Sequence, residues 1–365
     1  MAIEDFFQFQ PVGRRLEDLE TPVPVIDLDV VERNLERWQT RCDAAGFGNR
    51  PHIKTHKLVP LARHQLALGA NGITVQKLGE AEVMADAGIT DMLLTFNIVG
   101  APKLKRLADL ARRVDISIVA DHADVVAGLG EAGRAAGRDI PVLVECDTGA
   151  GRNGVQTPEA AVALARLIDR TPGVGYGGLM TYPRPGTREE TAAFLDEART
   201  GAAAAGLETA VVSHGGSPDM WSDVGLAGIT EYRAGTYAYF DRALATRGTC
   251  GFEDCALTVL ATVVSTPVSG RALLDAGSKA LTMDLIGLKH YGIVRALGDA
   301  PVYELNEEHG FLDVSATLSS PRIADRVRIT PNHVCPVSNL FDAVVVLRGE
   351  EVLGAVPVDA RGKVQ

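Results

Sequence analysis

Several things are scarce in this chain of 365 residues. Aromatic side chains make up only 5%, and there are five cysteines: Cys42, Cys146, Cys250, Cys255 and Cys335. Five thiols spread over so long a chain do not read as a disulfide framework, and reduced thiols in the cytoplasm are expected. No apolar run approaches the ~20 residues that span a bilayer, so no membrane partner is expected. The opening run Met1-Ala2-Ile3-Glu4-Asp5-Phe6 lacks a basic stretch followed by an apolar core, and no signal peptide is expected from it. Positive charge is short as well. The 36 Lys and Arg face 47 Asp and Glu, a net charge of −11. That disfavours nonspecific nucleic-acid binding and leaves room for a local basic pocket around a phosphate. Low-complexity segments and short-period repeats are missing too.

What is present is an ordinary globular composition, 46% apolar and 23% charged. β-rich runs at 49–54, 72–76, 91–97, 115–121, 140–146, 174–181, 209–214 and 231–237 alternate with longer Ala/Leu-rich runs. The latter include Pro60 to Leu68, Gly79 to Ala87, Lys103 to Arg113, Ala123 to Ala136, Pro158 to Arg170 and Arg188 to Gly206. Thr157-Pro158-Glu159 reads as a helix start, an N-cap followed by proline at the first helical position. Eight repeats of strand then helix point to α/β architecture, a (β/α)8 TIM-type barrel, although an open doubly wound sheet shows the same alternation. After about residue 250 the runs become short and β-like: Leu257 to Val268, Arg271 to Asp275, Val302 to Leu305, Phe311 to Val314, Arg326 to Ile329, Ala343 to Leu347 and Glu351 to Val356. The division expected is an N-terminal segment 1–30 associated with a β domain, a barrel over 31–250, and the C-terminal β domain over 251–365. The first barrel helix is expected over Asp29 to Ala45.

Lys54 ends the first strand run, Arg50-Pro51-His52-Ile53-Lys54-Thr55-His56-Lys57, where barrel enzymes place their chemistry. Neighbouring cations disfavour a protonated ammonium, so the setting favours a free amine able to form an imine. A solvated basic loop is the plain alternative. After strand 140–146, Gly149, Gly151 and Gly154 match a dinucleotide G-x-G-x-x-G. The following strand, however, ends without the acidic residue that holds a ribose. Two glycine-rich turns, Ser213-His214-Gly215-Gly216-Ser217 and Arg233-Ala234-Gly235-Thr236-Tyr237, end the last two barrel strands, where phosphate sites are common. Either would pass as an ordinary βα loop. Gln76, Asn97, Asp121, Tyr182 and Arg184 stand at other strand ends. In Pro331-Asn332-His333-Val334-Cys335-Pro336, His333 and Cys335 are two apart, and on an extended segment they would share a side. Imidazole and thiolate suit a divalent metal, zinc first. The plain alternative is a buried cysteine beside a polar loop histidine.

The run around Lys54 closely resembles the cofactor-lysine motif of the D-threonine aldolase and D-serine dehydratase family, which are fold-type III, alanine-racemase-like pyridoxal-phosphate enzymes. The resemblance extends over nearly the whole chain. It implies pyridoxal 5′-phosphate on Lys54, with Arg152 of the Asp147-to-Gly154 loop near its phenolic oxygen. It also implies Tyr182 near the ring and a phosphate held by Ser213, Gly215, Gly216, Ser217, Gly235, Thr236 and Tyr237. Gln76 joins the cofactor contacts expected. The loop after Tyr182, Pro183-Arg184-Pro185-Gly186, departs from the family's usual Gly-His. The resemblance makes His333 and Cys335 metal ligands, with zinc expected and manganese or magnesium as alternatives. A cysteine there is the dehydratase version, whereas Asn339-Leu340-Phe341-Asp342 and Glu307-Glu308-His309-Gly310 fit the aldolase type. The activity implied is lysis of a D-3-hydroxy amino acid, by retro-aldol cleavage or by dehydration. Lys54 is then the catalytic lysine, and His56 or His309 a base for the substrate hydroxyl. A homodimer is expected. The competing readings are a racemase, a non-catalytic cofactor-binding protein and a NAD-dependent dehydrogenase.

Overall fold

The computed structural model describes residues 2–223, 225–318 and 320–365. In chain order come β1 (Val23–Asp27), α1 (Leu28–Ala45), β2 (Gly48–Asn49), α2 (Val59–Ala67), β3 (Ile73–Val75), α3 (Leu78–Asp86), β4 (Asp91–Leu94), α4 (Ala101–Ala111) and β5 (Asp115–Ala120). Then follow α5 (Ala123–Ala136), β6 (Ile140–Cys146), α6 (Pro158–Arg170), β7 (Val174–Thr181), α7 (Arg188–Ala204), β8 (Val211–His214), β9 (Glu231–Tyr232) and α8 (Arg242–Arg247). The remainder holds β10 (Leu257–Val268), β11 (Arg271–Leu274), α9 (Ser278–Leu281), β12 (Gly292–Val294), β13 (Ala300–Leu305), β14 (Gly310–Asp313), β15 (Arg326–Pro331), α10 (Val334–Leu340), β16 (Ala343–Arg348) and β17 (Glu351–Pro357). No helix among the described residues is long and apolar enough to cross a membrane.

One compact unit comprises Trp38–Lys54, Ala62–Gly235 and Lys363–Gln365. Its eight strands run in the order β2-β9-β8-β7-β6-β5-β4-β3, and every pair is parallel. The bridge His52↔Thr74 joins the two ends, so the sheet closes into the expected barrel. Leu93, Val119, Leu143 and Met180, from four successive strands, form one buried cluster with half-buried Val211 against it. Such layers of branched side chains fill a barrel interior. The surrounding helices follow from their apolar period. α6 begins as its sequence demands, with Thr157 Oγ1 accepting from the Ala160 N–H at 3.2 Å and Pro158 in the first turn.

The first strand differs from its expected length. The strand proper is Gly48–Asn49, and main-chain bonds from Arg50 N–H to Tyr232 O and from His52 N–H to Ala234 O extend the ladder to His52. Ile53–Thr55 is a 3-10 turn, so Lys54 sits just beyond the strand and not within it.

The other unit comprises residues up to Arg37, Thr55–Leu61 and Thr236–Gly362. Its nine strands run in the order β11-β14-β13-β12-β15-β10-β1-β16-β17. The pairing is antiparallel except for β1 with β16. β1 therefore completes this sheet from the start of the chain, and Val25 packs with Leu260, Val345 and Leu347 in its core. β12 has no counterpart among the expected runs, because three residues are too few to show alternation.

Candidate active site

In the barrel unit the candidate residues gather at the C-terminal ends of the strands. Lys54 N–H donates to His52 Nδ1 at 3.4 Å, and His52 Nε2 donates to Gln76 Oε1 at 3.0 Å. Gln76 Nε2 in turn donates to Thr95 O at 2.8 Å. The side chain of Gln76 is thus committed to the wall beside the lysine turn. Asn97 Nδ2 donates to Asp121 Oδ1 at 2.6 Å, and Asp121 Oδ2 accepts from Gly154 N–H at 2.9 Å. The amides of Gly149 and Gly151 both turn inward to Asp147 Oδ1, at 3.0 and 3.1 Å. Burial works against ionised Asp147, yet the amides of Gly151, Gly149 and Ala150 and the Gln156 side chain hold its pKa below the usual range. The amides of all three glycines of the dinucleotide-like pattern are therefore taken up by Asp147 and Asp121. The loop presents Arg152, whose guanidinium lies 4.9 Å from the centre of the Tyr182 ring.

The two glycine-rich turns meet, because Gly235 N–H donates to Ser217 Oγ at 3.2 Å. Gly215 has φ +102°, and a Cβ there would run into the Tyr232 ring. A Cβ on Gly216 would come within 2.6 Å of Tyr182. Only glycine lets the main chain lie this close to both rings, a cradle of the kind that phosphate requires. Beneath it, His214 Nε2 lies 2.9 Å from Asp223 Oδ2, and Tyr232 OH donates to the same oxygen at 3.1 Å. The residues present fit pyridoxal phosphate.

The hydroxyl of Ser213 has protein partners of its own. It donates to Glu231 Oε1 at 2.6 Å and accepts from Arg233 Nη1 at 2.7 Å. Glu231 also accepts from Arg50 Nε at 2.6 Å. The side chain of Ser213 thus belongs to a buried polar network below the cradle. Glu145 is enclosed in the same unit. Burial pushes its carboxyl up to about 7 despite the pull of Arg152 and Arg233, and its Oε2 has no hydrogen-bond partner.

In the other unit, His333 and Cys335 do come together, by a route other than strand alternation. His333 has extended backbone and is the N-cap of α10, whose first turn carries Cys335. His333 Nδ1 donates to Asp284 Oδ2 at 2.6 Å. Burial opposes its protonation, but hydrogen bonds to Cys335 and Asp284 outweigh this and raise its pKa to about 9. The hydroxyls of Thr55 and Thr236 lie 3.2 and 3.7 Å from Cys335 Sγ. Thr236 is thus beside the sulfur, while Tyr237 is buried within the same unit. Thr55 follows Lys54 directly in the chain. No set of three or more His, Cys, Asp and Glu suited to a metal occurs among the described residues. A two-donor site with an oriented imidazole and a hydrogen-bonded sulfur fits an open metal position, with coordination left for water and substrate.

The two histidines named as bases lie apart in character. His56 is fully buried, with Nδ1 accepting from Leu58 N–H at 3.1 Å and its ring edge-on to Tyr239. His309 is exposed in the turn between β13 and β14, with its carbonyl accepting from Asn306 N–H. Asp284, Glu145 and the His214–Asp223 pair carry no sequence signal, since each acts through a partner that only the fold supplies.

A family model described as alanine racemase, N-terminal domain, matches residues 26–243, and one described as "Putative serine dehydratase domain" matches residues 256–347. A D-threonine aldolase of an Arthrobacter species is 36% identical over 96% of this chain and 95% of its own. The D-threo-3-hydroxyaspartate dehydratase of Delftia is also 36% identical, over 91% of this chain and 95% of its own. A solved structure of the Delftia enzyme with alanine in place of a cysteine is described as the metal-free form. It superposes with TM-score 0.86 at 34% identity, covering 94% of this chain and 99% of that one. The crystal structure of D-threonine aldolase from Filomicrobium marinum superposes with TM-score 0.91 at 32% identity, covering 98% of this chain and all of that one. A barrel with a glycine cradle, a second β unit with a His-x-Cys pair, and likeness along nearly the full length agree: the chain belongs to the fold-type III, alanine-racemase-like pyridoxal-phosphate lyases, in the group of D-threonine aldolase and D-serine dehydratase.

Proposed function

We propose that this lyase splits the Cα–Cβ bond of D-3-hydroxy amino acids, giving glycine and an aldehyde. Pyridoxal phosphate supplies an electron sink for the pair released at Cα, and a divalent metal, zinc first, supplies Lewis acidity toward the β-hydroxyl. Lys54 carries the cofactor, and its amine moves the proton at Cα. The main chain of Gly215, Gly216 and Gly235, with Ser217, holds the phosphate. Arg152 would meet the cofactor's phenolic oxygen and Tyr182 would flank its ring. His333 Nε2 and Cys335 Sγ hold the metal. Loss of the hydroxyl proton and breakage of Cα–Cβ leave a new C=O in the aldehyde, and Cα recovers a proton to give glycine.

The observation that carries this reading is the His333–Cys335 pair with Asp284 on Nδ1, an arrangement for which a racemase has no use. Dehydration to a keto acid and ammonia is the second reading. Cys335 favours it, since a cysteine at this place is the dehydratase version of the motif that the chain resembles. Product analysis separates the two. Purified protein is incubated with D-threonine, D-serine or D-3-hydroxyaspartate, with and without zinc. Glycine plus aldehyde supports cleavage, whereas keto acid plus ammonia replaces it with dehydration. Activity indifferent to a chelator removes the metal from both.

A further inference from the structure

The loop from Thr282 to Tyr291 joins α9 to β12 and is held in an unusual shape. Thr282, Ile286 and His290, none of them glycine, have φ of 67°, 38° and 67°. Left-handed backbone at such residues persists only where the surroundings impose it. One group that holds this loop is Asn332, the residue before His333. Its Nδ2 donates to His290 O at 2.7 Å and reaches Asp284 O at 3.5 Å. Arg242 Nη1 donates to Asn332 Oδ1 at 2.9 Å and to Lys289 O at 2.8 Å. One buried carboxamide and one guanidinium thus tie the loop at several points, and the loop delivers Asp284 to His333 Nδ1 at 2.6 Å. The other nearby carboxylate, Asp241, is already engaged by the N–H groups of Leu244 and Val334.

We propose that Asp284 is the positioning residue of the metal pair. It takes the Nδ1–H of His333, commits the imidazole to coordination through Nε2, and fixes the ring plane. The Asn332–Arg242 clamp sets where Asp284 stands. This rests on His333 and Cys335 being the ligands. A carboxylate behind a ligating imidazole fixes its tautomer and raises its basicity, and losing such a partner typically weakens metal binding 10- to 100-fold.

The test is zinc affinity of the cofactor-loaded protein, measured by competition with a chromophoric chelator. Asp284→Ala is expected to bind zinc about 10- to 100-fold more weakly, with unchanged absorbance of the bound cofactor, and Asp284→Asn by a smaller factor. Affinity within twofold of the unaltered protein in Asp284→Ala overturns the proposal. A second measurement needs no variant: 15N spectra of the histidines in the zinc-loaded protein. Zinc on Nε2 of His333 with a protonated Nδ1 supports the assignment, and zinc on Nδ1 ends it. Failure of the underlying reading looks different. In that case Cys335→Ala holds zinc as tightly as the unaltered chain.

Discussion

Lys54 lies on a 3-10 turn that His52 pins by accepting its main-chain N–H. The amine is the one group proposed both to carry the cofactor and to move the Cα proton. Lys54→Arg, which keeps the charge, should lower kcat by about 10²- to 10⁴-fold, the range for a lost acid–base group. Borohydride reduction followed by mass measurement checks the covalent role. A cofactor adduct in the variant equal to that in the unaltered protein would move the attachment elsewhere. Gly215 is the other residue whose identity is dictated by geometry. Gly215→Ala places a side chain at φ +102° and against the Tyr232 ring. It should cost about 1–3 kcal/mol in unfolding free energy, and cofactor affinity should fall with it. Equilibrium denaturation and a cofactor titration read the two effects. Unchanged cofactor binding would remove this turn from the phosphate site. Both residues could be singled out as candidates in the sequence, since a strand-end lysine and paired glycines are local signals. The partners of the Ser213 hydroxyl were not legible there. That hydroxyl turns to Glu231 and Arg233, 18 and 20 positions away, and a turn motif says nothing of which way a side chain faces.

Elements follow the same logic. The Ala/Leu period located α5 and α6 to the residue, Ala123–Ala136 and Pro158–Arg170. Thr157→Ala, which removes the cap of α6, should destabilise the protein by about 1 kcal/mol. Urea denaturation with an unchanged midpoint would show that α6 does not need its cap. Strands were legible where they are long, as in β6, β7 and β10. β2 is two residues, and its ladder to His52 depends on carbonyls of Tyr232 and Ala234 supplied by the far end of the barrel sequence. The His-x-Cys pair shows how an element can yield the expected neighbours for another reason. An N-cap followed by the first helical turn, and not strand alternation, brings Cys335 beside His333.

For the molecule as a whole, the enclosed Glu145 links stability to pH. Burial raises its carboxyl from 4.5 to about 7 in the folded chain. The folded state therefore keeps the proton where the unfolded state releases it. Its contribution is fully present below about pH 4.5 and is lost as pH rises through about 7. Relative to Glu145→Gln, the cofactor-free protein should lose about 3 kcal/mol of unfolding free energy between pH 4 and pH 8. Denaturant titrations of both proteins across that interval measure the difference, and parallel pH profiles would refute it. The sequence by itself determined the barrel alternation and the change to β structure after residue 250, and it singled out Lys54 and the His333–Cys335 pair as candidates, because these are written in short-range periodicity and in residue types a few positions apart. Tertiary structure alone decided which strands β1 lies between in the C-terminal sheet, that Ser213 faces inward and that Asp284 stands behind His333 at a separation of 49 positions. Such partners are chosen by chain topology, and no local pattern encodes which distant side chain a folded chain will place within hydrogen-bond reach.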